Sequence, residues 1–132
     1  MKQFCLYVPG EPVAKARPRV GKGGRVYTPR KTQVHESKIR EEWLENYEEK
    51  PTKNPVKISM TFYLTKPKRI PKDFPETPQK RPDIDNLIKT VLDALNGLAY
   101  EDDKQIVKVS ARKEWSNRPH GIGYTIIELW EV

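Results

Sequence analysis

Residues 81–106 read RPDIDNLIKTVLDALNGLAYEDDKQI, and this stretch decides the fold. Ile84, Leu87, Ile88, Val91, Leu92 and Leu95 recur at the spacing of one helix face, so the pattern predicts a helix over Asp83–Asn96. Asp83 and Asp85 stand at its start, where the positive helix end favours carboxylates. Gly97 is placed to cap the far end. The acidic turn 101–103 then returns the chain to a strand over Gln105–Trp115.

Outward from that stretch, Val56–Thr65 alternates apolar and polar residues and reads as a strand with one buried face. Lys2–Val8 reads as another, with Phe4, Leu6 and Val8 on one side. Ile39, Trp43 and Tyr47, widened by Leu44, mark a helix over Pro29–Glu49, with Thr28 as its cap and Pro29 at its first position. Ile122–Val132 is a last strand, expected to pair with 105–115 as a hairpin. The order is β-α-β-α-β-β. The fold class is α+β: a single domain over 1–132, with one mixed four-stranded sheet and two main helices.

The chain has 132 residues and net charge +7, unevenly spread. Residues 1–40 hold ten Lys/Arg against two Asp/Glu, net +8; residues 65–82 hold six against two, net +4. Residues 83–105 hold two against six, net −4. Basic segments suit a polyanion, whereas the acidic patch that follows the second of them repels phosphate unless a cation sits there. A metal-dependent nuclease needs that combination. Segment 13–28 is a glycine-rich basic loop with a short strand expected at Arg25–Tyr27, and 66–82 is a long loop holding five of the twelve prolines. Tyr27 fits either stacking on an opened base or packing in the core.

Other chemistries find little support. Cys5, the single cysteine, lies in an apolar strand and reads as inert core; it excludes an intrachain disulfide. His35 lies on a charged helix and reads as solvated, and with His120 makes no zinc cage. GKGG at 21–24 lacks the setting of a phosphate loop. No segment suggests a signal peptide or a membrane span, so a cytoplasmic protein is expected.

Asp83, at the loop–helix junction, is free to turn toward Asp85, and Lys89 and Asp93 follow at four-residue steps on one polar stripe. A helix start and a strand start meeting would bring Glu101, Asp102 and Asp103 to the same place. Carboxylates gathered in this way need a cation, and oxygen-only ligands favour Mg²⁺ or Mn²⁺ over zinc. Lys89 would add positive charge where the phosphorane develops. Each feature alone has a plainer reading: Asp83 as a helix cap, Lys89 as an ion pair with Asp85 or Asp93, 101–103 as an ordinary acidic turn.

Taken together, R-P-D-I-D-N-L-I-K, L-D-A-L-N-G and E-D-D-K-Q-I, with the basic K-A-R-P-R-V-G-K-G-G-R-V-Y-T-P-R-K-T, resemble the RusA family of Holliday junction resolvases. The resemblance covers about residues 2–130. It implies a small homodimeric endonuclease that uses Mg²⁺ to cut four-way DNA junctions by paired symmetric nicks. It carries the metal-site aspartates onto Asp83, Asp85 and Asp103, with Asp102 as a helper, and the catalytic lysine onto Lys89. Asp93 is left as a salt bridge to Lys89 or a structural cap. DNA phosphates are expected to meet Lys15, Arg17, Arg19, Lys22 and Arg25 of the basic loop and Lys80 and Arg81 of the proline-rich one. The competing readings are a nuclease for other branched or flapped DNA and a non-catalytic basic DNA-binding module.

Overall fold

The structure, a computed structural model, describes residues 2–17, 19–69, 74–118 and 121–132. The expectations that touch residues 70–73, Pro119, His120 or the side chain of Arg19 lie outside the described residues. The elements in chain order are β1 (Gln3–Pro9), β2 (Arg19–Val20), β3 (Val26–Tyr27), α1 (Arg30–Asn46), β4 (Val56–Leu64), α2 (Ile84–Leu95), β5 (Ile106–Trp115) and β6 (Tyr124–Glu131).

Four strands form one mixed sheet in the order β1-β6-β4-β5. β4 and β5 are parallel, joined through α2, while β6 runs antiparallel to both β1 and β4. The hairpin expected between the last two strands does not form, because β4 lies between them. Composition explains the choice. β5 carries Lys108, Arg112, Lys113 and Glu114 and tolerates an edge, where charge also blocks unwanted pairing. β6, with Tyr124, Ile127 and Leu129 buried, belongs inside the sheet. The basic loop folds into a small ribbon, Arg19 opposite Tyr27 and Val20 opposite Val26.

Both helices cover one sheet face. Phe4, Leu6 and Val8, alternate residues of β4 from Val56 to Phe62, and Ile127 and Leu129 meet Ile39, Trp43, Leu87, Val91, Ala94 and Leu95 in one core. The buried line of α2 is rotated from the expected stripe: Thr90 and Ala94 are buried, whereas Ile84, Ile88 and Leu92 are half-buried. On α1 the buried line is Thr32, His35, Ile39 and Trp43. Leu44 is 59% exposed, and Pro29, without a side-chain cap bond, stands where Thr28 was expected to cap. His35 is therefore a core residue, not a solvated one. Cys5 faces solvent on the sheet's other side, and Tyr27 is 47% exposed on the ribbon, so neither belongs to the core.

Candidate metal centre and nucleic-acid interface

A parallel β4-α2-β5 crossover requires α2 to run against both strands, so its first turn lies at the strands' carboxyl end. Asp83 sits there as the residue before α2, in extended conformation and with no capping hydrogen bond from its side chain. Asp85 is in the first turn, and its Oδ1 accepts the Asn86 amide at 2.9 Å. Both carboxylates are exposed, and the helix end favours their charge.

The approach to α2 is held from beneath. Lys113 Nζ donates to the carbonyls of Lys80 at 2.7 Å and Pro82 at 3.1 Å. Trp115 Nε1 donates to the Pro75 carbonyl at 3.0 Å, its ring lies 4.9 Å from that of Phe74, and Lys80 Nζ stands 5.4 Å above it. From the other side, the segment after β1 crosses α2, with Lys15 N donating to the Asn86 carbonyl at 2.8 Å. Between them opens a cavity of about 550 Å³, lined by Glu11, Ala14, Thr32, Arg81, Asp83 and Asn86 among others.

Lys15 is not a free surface cation. Its ammonium lies 2.6 Å from Glu36 and 3.2 Å from Asp93, with 16% of the side chain exposed. Burial alone would lower its pKa, but the two carboxylates outweigh burial and raise it. Asp93 is thus salt-bridged as expected, but to Lys15 rather than Lys89. Among the described residues Lys89 makes no ion pair and is exposed one turn beyond Asp85. Arg17, Lys22, Arg25, Lys80 and Arg81 are all exposed.

Asp103 is elsewhere. It opens a short 3₁₀ turn, Asp103–Gln105, that precedes β5. Gln105 anchors this turn by donating to the carbonyls of Thr52 at 2.7 Å and Asn54 at 2.9 Å, and its Oε1 accepts the Asp102 amide at 2.8 Å. Asp102 is half-buried, whereas Asp103 is exposed. Tyr100, between this turn and α2, has its hydroxyl pKa raised by burial, then by Asp103, Asp93 and Asp102. From Ile106 to Lys113, β5 covers seven steps, roughly 23 Å, and α2 is roughly 18 Å long. Asp103 and the Asp83–Asp85 pair therefore lie at opposite ends of the same two elements. The expected meeting of a helix start with a strand start within one chain does not occur, because the parallel crossover separates those two points.

The donor chemistry fits a hard cation: exposed carboxylates and, among the described residues, no sulfur or imidazole beside them. Among the described residues no three acidic, histidine or cysteine side chains gather to hold an ion. Nor is any described helix long and apolar enough to cross a membrane.

Sequence reasoning missed Lys113, Trp115 and Glu11. Lys113 had left a signal. It stands on the same face of β5 as Ala111, two residues on, where an apolar side chain is expected. Glu11 accepts the Thr65 amide at 3.2 Å and also the Thr65 hydroxyl, tying the end of β1 to the exit of β4.

A family model described as endodeoxyribonuclease RusA matches residues 9–126. The uncharacterized protein YqaN of Bacillus subtilis (strain 168) is 33% identical over 129 residues, covering 89% of each chain.

Proposed function

Because the chain belongs to the RusA family of crossover junction endodeoxyribonucleases, we propose that it resolves four-way DNA junctions by paired, Mg²⁺-dependent nicks, acting as a homodimer whose cleavage sites are each shared between two copies. The observation that carries this reading is the separation of Asp103 from Asp83 and Asp85. A metal's oxygen ligands stand about 2.0–2.6 Å from it, so they must lie within roughly 5 Å of one another. One chain spaces them several times farther apart. A twofold dimer supplies the missing ligand reciprocally: Asp103 of each copy completes the Asp83–Asp85 pair of the other.

In this reading Asp83, Asp85 and Asp103 hold Mg²⁺, with Mn²⁺ able to replace it. When bound, the cation supplies an activated water and charge neutralisation at the scissile phosphodiester. Lys89, without an ion pair among the described residues and one turn from Asp85, places positive charge beside the phosphate as negative charge builds up in the transition state. Arg17, Arg19, Lys22 and Arg25 on the β2–β3 ribbon and Lys80 and Arg81 before α2 bind backbone phosphates on either side of the cavity. Lys15 acts from within, fixing the ribbon's base to α1 and α2. A four-way junction is itself twofold symmetric, so two equivalent sites cut opposed strands.

Subunit mixing tests the sharing. Asp85→Asn and Asp103→Asn chains are each expected to be inactive alone. In a heterodimer of the two, one site carries both substitutions and the other carries neither. Mixing after subunit exchange should therefore restore nicking to about a quarter of the sites, mostly as single nicks. Sites contained within one chain predict that every mixture stays inactive.

A further inference from the structure

Beyond the cleavage site, a second basic cavity lies at the same end of the sheet. The chain leaving β4 passes as Lys66–Lys68 beside the turn from β5 to β6, and the two segments enclose about 420 Å³ around Lys66, Lys68 and Arg118. Its frame is built rather than incidental. Ser116 N donates to the Leu64 carbonyl at 2.7 Å, and Ser116 Oγ donates to the Ile122 carbonyl at 2.5 Å. Gly121, at φ 64, donates to the Arg118 carbonyl at 2.8 Å; a Cβ there would come within 3.4 Å of Lys66 N.

Arg118 is held by aromatic rings. Its guanidinium lies 4.8 Å from the Tyr7 ring centre and 4.7 Å from that of Tyr124. Tyr124 stacks on Tyr63 at 4.2 Å and donates its hydroxyl to Asn117 Oδ1 at 3.1 Å. Ring support fixes the plane of the guanidinium and leaves its N–H edge to bind. Among the described residues, none of Lys66, Lys68 or Arg118 forms an ion pair. Glu11, the acid bordering this strand exit, is bonded to Thr65. Cations that converge without a counter-charge favour an anion, and a planar fork favours the paired oxygens of a phosphate.

We propose that the Lys66–Lys68–Arg118 cavity is a second phosphate-binding site, taking the backbone of a DNA arm beyond the phosphate that is cut. Glu11 lines the Asp83 cavity and also grips Thr65, the neighbour of Lys66, so the two sites adjoin across one residue. A strand leaving the cleavage site over the carboxyl ends of β1 and β4 reaches this cavity directly. The inference rests on the reading that the chain binds branched DNA.

The test is junction binding in EDTA, followed across salt concentration, for Lys66→Gln/Arg118→Gln against Lys57→Gln/Lys108→Gln. The second pair lies at the opposite end of the sheet and removes the same charge. The first variant should bind about tenfold more weakly and lower the slope of log K against log[salt] by about 1.8, or 0.9 per lost phosphate contact. The control should keep both near wild type. Arg118→Lys, which retains charge but not the planar fork, should fall between. Melting curves establish that each variant is folded. A wild-type slope in the first variant, or an equal loss in the control, overturns this inference and leaves the endonuclease reading standing. A wild-type protein with no affinity for branched DNA overturns both.

Discussion

His35 shows how burial can turn a surface-type residue into a pH sensor of stability. It is 5% exposed, and burial, aided by Lys38, lowers its pKa to about 4 from 6.5. Glu11, Arg30, Lys31 and Lys38 line the cavity beside it. The folded state holds the neutral ring while the unfolded chain takes up a proton below pH 6.5. Stability from this residue is therefore complete above pH 6.5 and is lost as pH falls toward 4, by up to about 3 kcal/mol. Urea unfolding of His35→Leu should show a flatter dependence between pH 6.5 and 4 than wild type. Parallel curves would mean that the imidazole takes up its proton alike in the folded and unfolded states. Lys15 follows the opposite logic, as a half-buried cation kept charged by Glu36 and Asp93.

At the scale of elements, the edge strand β5 does more than complete the sheet. Its last residues fasten the proline-rich segment that delivers Asp83 to α2. Lys113 supplies two charge-assisted hydrogen bonds to loop carbonyls, and Trp115 gives the loop an aromatic floor. Lys113→Met removes the donors and keeps the volume. It should cost about 1–2 kcal/mol in urea unfolding. Cleavage at saturating Mg²⁺ should fall more steeply, about tenfold, because misplacing a ligand pair by about 1 Å is expensive for catalysis. Wild-type cleavage in that variant would show that the segment holds its course without β5.

For the whole molecule, charge and assembly act together. Two basic segments, 1–40 and 65–82, precede the acidic 83–105 within a net charge of +7, so in the proposed function attraction for DNA and repulsion at the cleavage site coexist. Chelating the metal with EDTA should stop cleavage and leave junction binding largely intact. Asp83→Asn/Asp85→Asn should end cleavage yet bind junctions equally or more tightly without metal, since two phosphate-repelling charges are gone. Weaker metal-free binding would show that these carboxylates organise the surface rather than repel DNA from it. Sedimentation should give a dimer at micromolar concentration; a monomer that makes paired nicks would sink the shared-site reading.

Much of this was legible in the chain itself. Alternation in Val56–Leu64 and the helical spacing through 84–95 are local patterns, set by which face must be dry, and they identified the elements within a few residues. The D-I-D pair, Lys89 and the basic ribbon were visible as chemistry in the sequence. What strands pair with was not, because pairing is decided by competition among distant segments for the interior of the sheet. The last two strands were expected to pair with each other; instead β6 lies between β1 and β4, and β5 pairs with the other side of β4 at the edge. The same non-local arrangement set Asp103 at the far end of α2, buried His35, drew Lys15 inward to Asp93, and left Cys5 exposed. Sequence determined which groups this protein carries; the direction of one parallel crossover decided which of them could meet in one chain.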